Sequence, residues 1–212
     1  MSSVNLIKHP MAGNCLKTLR DRDTKTEEFR SAMDKLGLLL AVEATSELET
    51  TSATVITPLD VEARCSYINE SRILLIPILR AGLGFVESFT RILPSAKVAH
   101  IGIARDHETL EAKPYLNTVP DHPEEFDRVL VLDPMLATGN SSAKALEMVI
   151  SKGYSPDKIT LCCALSTMVG IEQLHKKYPS LKIITAAIDP ELNDVAYIVP
   201  GLGDAGDRLN LL

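Results

Sequence analysis

Positive charge is in short supply in this sequence. Its 212 residues carry 22 Lys and Arg against 28 Asp and Glu, a formal net charge of −6. That balance argues against broad contact with nucleic acid or an anionic membrane surface, so any anionic ligand must be held by local donors. Long apolar runs are also missing: none approaches the ~20 residues that span a bilayer. The first ten residues, Met1 to Pro10, lack the apolar core of a signal peptide, so none is expected. The four cysteines form no C-x-x-C pair. Cys162 and Cys163 lie inside Ile159-Thr160-Leu161-Cys162-Cys163-Ala164-Leu165, which reads as a core strand where they serve as small buried hydrophobes. Cys15 and Cys65 have no motif around them, and the whole set suits a reducing cytoplasm. No two of His107, His122 and His175 have metal-ligand spacing on one element, and all three read as solvated. No nucleophile triad, internal repeat or low-complexity tract is visible.

What is present is an ordinary globular composition, 45% hydrophobic and 24% charged. One domain of this length buries roughly 70% of its unfolded surface. Apolar strands are expected at Ile73 to Ile78, Val98 to Ile103, Val129 to Leu132, Ile159 to Ala164 and Ile183 to Ala187, with helices near Gly84 to Ile92, Ser141 to Lys152 and Met168 to Lys177. Such alternation predicts an α/β fold, a parallel five-stranded sheet with helices on both faces. The core is expected at 71–187, followed by a tail at 188–212. Before it, Thr24-Lys25-Thr26-Glu27 matches a capping box, and Phe29, Met33, Leu36 and Leu40 follow at helical spacing. That helix is expected to run to about Leu48. Thr51 to Ile56 and Val61 to Tyr67 form a hairpin or arm around Thr57-Pro58-Leu59-Asp60, so residues 1–70 read as an appendage, structural or dimer-forming. The polar segment Asp106 to Arg128, with Pro114, Pro120 and Pro123, is a long loop of the functional kind.

The chain is organised around Val129-Leu130-Val131-Leu132-Asp133-Pro134-Met135-Leu136-Ala137-Thr138-Gly139-Asn140-Ser141-Ser142. Four apolar residues make a strand buried on both faces. A carboxylate follows, then a turn whose Gly139 and Asn140 tolerate positive φ, and Ser141 and Ser142 can cap the next helix. N–H groups at a helix start form an anion site, to which Thr138 and Ser141 add hydroxyls. Asp133 suits ribose hydroxyls or magnesium. By itself the run is as readily an ordinary crossover with a capped helix. At the end of the first core strand, Arg80-Ala81-Gly82-Leu83-Gly84 sets a guanidinium beside backbone that an anion can approach. If the first and third core strands are neighbours across a switch in strand order, Arg80 and the 133–141 loop face one pocket. Arg105-Asp106-His107-Glu108-Thr109-Leu110-Glu111 precedes Lys113, which reads as surface charge. In the tail, Gly201, Gly203 and Gly206 make a formal G-x-G-x-x-G, but too few residues follow for a dinucleotide-binding βαβ unit.

Together these stretches resemble the type I phosphoribosyltransferases. The 129–142 run resembles their loop for phosphoribosyl diphosphate (PRPP). Pro134 stands in place of the second acid and Asn140 in place of a glycine, and the wording Asp-Pro-Met-Leu-Ala-Thr-Gly is that of the members acting on uracil. The Arg80 stretch is similar to their pyrophosphate loop, the Arg105 stretch to their Arg-x-x-Glu-Thr-Leu-Glu segment, and Tyr197 to Arg208 to their uracil-binding tail. The resemblance spans essentially the whole chain, although Leu209 to Leu212 depart from the usual ending. It implies transfer of phosphoribose to uracil, giving UMP and diphosphate, through an oxocarbenium-like transition state. Arg80, Asp133 and Asp204 are the implied catalytic residues. PRPP would be bound by Arg80, Arg105, Asp133, Pro134, Met135, Leu136, Ala137, Thr138, Gly139, Asn140, Ser141 and Asp204. Uracil would be bound by Ile198, Gly203, Asp204 and Ala205 in a C-terminal hood. Mg²⁺ is the implied cofactor, held mainly by substrate and water, and the 106–120 loop would close over the site. A homodimer or homotetramer follows from the same resemblance, as does GTP as activator of some members. An RNA-binding regulator on this fold should show a basic face. A purine or orotate enzyme should show a second acid after Asp133 and a different tail.

Overall fold

The computed structural model describes residues 4–105 and 112–211, Arg105 through its backbone alone. A short strand, β1 (Val4–Leu6), leads into helices α1 (Pro10–Arg20) and α2 (Thr26–Thr45) and a hairpin of β2 (Thr51–Ile56) and β3 (Glu62–Tyr67). The next units are β4 (Ile73–Leu79), α3 (Leu83–Ile92), β5 (Lys97–Val98), β6 (Ile101–Arg105), β7 (Ala112–Asn117), β8 (Arg128–Leu132) and β9 (Met135–Leu136). Then come α4 (Asn140–Ile150), β10 (Ile159–Thr167), α5 (Met168–Lys177) and β11 (Lys182–Asp189). The chain finishes with β12 (Glu191–Leu192), β13 (Ile198–Val199) and the short helix α6 (Ala205–Arg208).

The main sheet runs β1-β11-β10-β8-β4-β6-β7. The five expected strands are its parallel centre, β11-β10-β8-β4-β6, widened by parallel β1 and antiparallel β7. Strand residues point alternately to opposite faces, and both sets are apolar here. Ile73 and Leu75 of β4, with Leu130 and Leu132 of β8, pack toward Phe29 and Leu36 of α2 and Phe85 and Phe89 of α3. Leu74 and Ile76, with Val129 and Val131, pack toward Leu146 and Val149 of α4 and Ile171 and Leu174 of α5. Helices therefore cover both faces.

Several expectations shift. Residues 10–45, expected as part of an appendage, are not one: α1 and α2 lie in the core, where Leu19, Phe29, Met33, Leu36 and Leu40 are buried, each side chain contributing roughly 1.5–3 kcal/mol. Only the β2–β3 hairpin projects as an arm. The capping box at the start of α2 slips by one residue: Lys25 is the N-cap, its N–H donates to Glu28 at 3.4 Å, and the Thr24 hydroxyl donates instead to the Thr18 carbonyl at 2.7 Å. Helix α2 stops at Thr45, where the Thr45 hydroxyl bonds back to the Ala41 carbonyl at 3.0 Å. The expected 98–103 strand is split into β5 and β6. The polar segment after Arg105 is not loop throughout, because β7 pairs antiparallel with β6, placing Lys113 opposite Ala104. Beyond β7, Val119 and Phe126 are core residues. The loop expected to close over the site falls partly on 106–111, outside the described residues.

The cysteines divide sharply. Cys15, Cys162 and Cys163 are buried and Cys65 is exposed. Burial pushes the Cys162 thiol up to about 12, and burial together with the nearby Asp133 charge pushes Cys163 up as well. Only the thiolate reacts. An alkylating reagent should therefore label Cys65 alone in the native protein and the other three only in denaturant, as peptide mass spectrometry would show. Native labelling of Cys162 or Cys163 would mean that β10 is not sealed between two helical layers.

Candidate active site

Strands β4 and β8 are parallel neighbours, with Pro77 opposite Leu132. Arg80 and Asp133 therefore leave the sheet at the same, C-terminal end, where ligands of open α/β sheets bind. After β4 the chain passes through a cis Leu79–Arg80 peptide into a tight turn, in which the Gly82 N–H donates to the Ile78 carbonyl at 2.9 Å. Gly82 has ordinary helical dihedrals, so its identity is set by space. A Cβ there would lie 2.5 Å from the Leu132 carbonyl oxygen and 2.7 Å from both the N and O of Ile78. The Arg80 turn is thus pressed against the residue before Asp133. The exposed Arg80 guanidinium makes no hydrogen bond or ion pair among the described residues.

Asp133 is buried. Its N–H donates to the Cys162 carbonyl at 3.1 Å, its Oδ1 accepts from the Met135 N–H at 3.4 Å, and its Oδ2 accepts from the Ser142 hydroxyl at 2.8 Å. The Pro134 carbonyl accepts from the N–H groups of Ala164 and Leu165, and Met135 and Leu136 pair with β10. The Leu136 side chain is core, so this residue meets the site only through backbone. Helix α4 then begins with Gly139 as N-cap, at φ +88, and its first N–H groups lack intrahelical partners. This corrects the capping expected of Ser141 and Ser142, since Ser142 orients Asp133 instead. Asn140 does not use its tolerance of the left-handed region, because it is already the first residue of a right-handed helix.

The loop is braced from α5. The Thr167 hydroxyl donates to the Ala137 carbonyl at 2.7 Å and accepts from the Gly170 N–H at 3.0 Å, capping the helix. A Cβ on Gly170 would lie 2.5 Å from the Ala137 carbonyl oxygen, so α5 reaches the loop only through glycine. The Gln173 amide donates to Asn140 Oδ1 at 2.8 Å.

The tail returns to the same end. Ile198 pairs with Leu192, and a cis Val199–Pro200 peptide leads to Gly201 and Gly203, at φ +62 and +79. Gly203 is required for its backbone conformation, since a Cβ would meet nothing nearer than Arg208 Cδ at 3.7 Å. Asp204 is exposed, and its Oδ1 accepts from the Asp207 N–H at 3.0 Å, capping α6. Ala205 is buried. Leu209 packs so closely on the first turn of α3 that a Cβ on Gly84 would lie 2.7 Å from its Cδ1. The N-terminal helices hold this tail in place. Arg208 lies 4.3 Å over the Phe29 ring and donates to the carbonyls of Leu19, Asp21 and Leu202, and Arg30 donates to the Leu209 carbonyl at 2.6 Å.

The sequence profile described as uracil phosphoribosyltransferase matches residues 6–210. The chain belongs to the uracil phosphoribosyltransferase family. A uracil phosphoribosyltransferase of Synechococcus elongatus is 45% identical over 203 residues, covering 95% of this chain and 93% of the relative. One of Clostridium botulinum is 41% identical over 209 residues, covering 99% and 98%. Among solved structures, the AQ2163 protein of Aquifex aeolicus superimposes with a TM-score of 0.89 at 34% identity, covering 97% of each chain.

Within this uracil phosphoribosyltransferase fold, the Arg80 turn, the 133–141 loop and the 198–205 tail stand at one sheet end. The Arg105 backbone ends β6 at that same end, while its side chain lies outside the described residues. The sequence marks Ser142 as a cap, whereas in the fold its hydroxyl donates to Asp133. Gln173, Arg20 and Asp189 carry no local signal, because their partners lie about 30 to 170 residues away, whereas Thr167 carries one as the threonine that caps the helix starting at Met168.

Proposed function

We propose that this chain transfers phosphoribose from PRPP to uracil, giving UMP and diphosphate in pyrimidine salvage. The observation that carries this reading is the meeting of three elements at one sheet end: an uncommitted arginine, a helix-start loop beside a buried carboxylate, and a tail presenting mostly backbone. In the reaction the bond from the anomeric carbon to diphosphate breaks as the bond to uracil N1 forms, and the N1 proton passes to the departing diphosphate or to water. Arg80, with Arg105, meets negative charge growing on diphosphate. Asp133, held by Ser142, orients the ribose diol. N–H groups from Ala137 to Ser141, with the Thr138 and Ser141 hydroxyls, receive the 5′-phosphate. Asp204 Oδ1 is taken by the capping bond, which leaves Oδ2 for the substrate. Ile198, Gly203 and Ala205 read the base edge through backbone groups.

The reading includes Mg²⁺, which would neutralise diphosphate charge. Among the described residues no cluster of three or more His, Cys, Asp or Glu could hold a metal ion. By the resemblance, magnesium would be held mainly by PRPP oxygens and water, with the Asp133 carboxylate suited to approach it. A homodimer or homotetramer belongs to the same reading. It is supported by the exposed Val55, Ile56, Leu59, Val61 and Tyr67 of the β2–β3 arm, since an isolated hairpin is marginal in water. So does action in the cytoplasm, in keeping with four free cysteines. No helix among the described residues is long and apolar enough to cross a membrane. Activation by GTP follows from the resemblance, and rates with and without GTP test it.

A PRPP-dependent assay across free nucleobases tests the core of the proposal. Uracil should be consumed with UMP appearing, cytosine and purines should not, and excess chelator should abolish the rate until Mg²⁺ is restored. Turnover of another base in preference to uracil, or full activity in chelator, would contradict it.

A further inference from the structure

Asp189 closes β11 at the ligand end of the sheet, directly beside Thr167, the residue that holds the phosphate loop. Its carboxylate is buried, and Arg20, the last residue of α1, grips it in a two-pronged pair at 2.6 and 2.8 Å. Both residues also hold one residue of the tail. Asp189 Oδ2 accepts from the Gly201 N–H at 2.9 Å, while the Arg20 guanidinium donates to the Gly201 carbonyl at 2.9 Å. Burial alone would push the Asp189 carboxyl up, but Arg20 and the Gly201 N–H outweigh it and hold it below the usual carboxylate range. Gly201 in turn sits against the base-reading backbone: a Cβ on it would lie 2.0 Å from the Ile198 carbonyl oxygen.

We infer that Arg20 and Asp189 are a positioning pair for uracil, fixing both backbone groups of Gly201 and thereby the place of the Ile198 carbonyl. The inference rests on the proposed transfer to uracil and adds the residues that set its base specificity. Both side chains act through Gly201. Thr167 and Asp189, neighbours across β10 and β11, anchor the phosphate loop and the base tail separately, so loosening one anchor leaves the other in place. A bidentate guanidinium–carboxylate pair fixes angle as well as distance, which a lysine cannot reproduce.

The test measures KM for uracil and for PRPP in Arg20→Gln, Asp189→Asn, the double variant and Arg20→Lys, with amide hydrogen exchange across 198–203. Each single variant should raise the uracil KM by about ten-fold or more, the scale of one lost buried hydrogen bond, with the PRPP KM within about two-fold. The double variant should be no worse than the worse single one, as for two members of one unit. Exchange at 198–203 should quicken. Arg20→Lys keeps the charge and gives a foldable intermediate case, with a smaller rise confined to uracil. Parallel rises in both KM values, additive single effects, or unchanged exchange at Gly201 in a protein that turns over uracil would overturn the pairing. A wild-type protein without uracil turnover would instead overturn the substrate on which the inference rests, a failure that the exchange measurement separates from the first.

Discussion

Arg80→Ala should lower turnover by roughly 10²–10³-fold, about 2.7–4 kcal/mol of transition-state stabilisation, the loss typical of one preorganised electrostatic donor. The diphosphate of bound PRPP is already anionic, and further charge develops on it as the bond to the anomeric carbon breaks, so loss of Arg80 should fall on kcat and on PRPP binding more than on uracil binding. Uracil affinity should stay within about two-fold, because the tail proposed to read the base is anchored through α1, α2 and β11 rather than through Arg80. Stability should be nearly unchanged: the side chain is exposed and bonds nothing among the described residues, and such substitutions usually fall within about ±0.5 kcal/mol. Single-turnover kinetics and a thermal melt check both halves. Wild-type kcat in a folded variant would remove Arg80 from the site, and a large fall in melting temperature would make it a structural residue.

Gly82→Ala is expected to damage both the fold and the rate, although a methyl group is the whole change. The new Cβ would stand 2.5 to 2.7 Å from three backbone atoms, in Leu132 and Ile78, at separations real Cβ atoms do not show. Backbone at the end of two central strands cannot rotate away as a side chain could, so the turn itself must move. Overpacking of that kind costs about 1–3 kcal/mol. The displaced turn carries Arg80, and a shift of about 1 Å in a positioning group can cost 10²-fold in rate. Gly13→Ala supplies the contrast. A Cβ there meets nothing within 4 Å, and in mid-helix the change should stabilise by up to about 1 kcal/mol. Melting temperature and kcat for the two variants side by side test the argument, and a Gly82→Ala protein with wild-type values of both would refute it.

The core strands and their order of use were readable because their signals are local. Ile73 to Ile78 and Val129 to Leu132 are uninterrupted apolar runs, too short for helices, and each is buried on both faces. The layout of the 133–141 loop is readable for the same reason, since a strand, a carboxylate, a glycine and a helix start follow one another without a gap. The cap was misplaced because Ser142 has two possible partners. A hydroxyl beside a helix start suggests capping, and only the folded loop brings the Asp133 carboxylate to 2.8 Å. Asn140 was assigned a left-handed tolerance that it does not need, because Gly139 makes the turn alone.

The sequence by itself determined an α/β sheet, the strand–carboxylate–glycine–helix layout of 129–142 and an arginine at a strand end, because each follows from residues adjacent in the chain. Only the pairing of β4 with β8 brings the arginine and the loop to one place. Tertiary structure alone decided what holds these parts at working distance. Residues 4–48 could not be seen as a frame for the tail, since Arg20 meets Asp189 across 169 positions and Arg30 meets Leu209 across 179. No periodicity or motif records such a meeting. It arises because α1 and α2 bury one apolar stripe on the sheet, and burying that stripe delivers their arginines to the carbonyls of the returning tail.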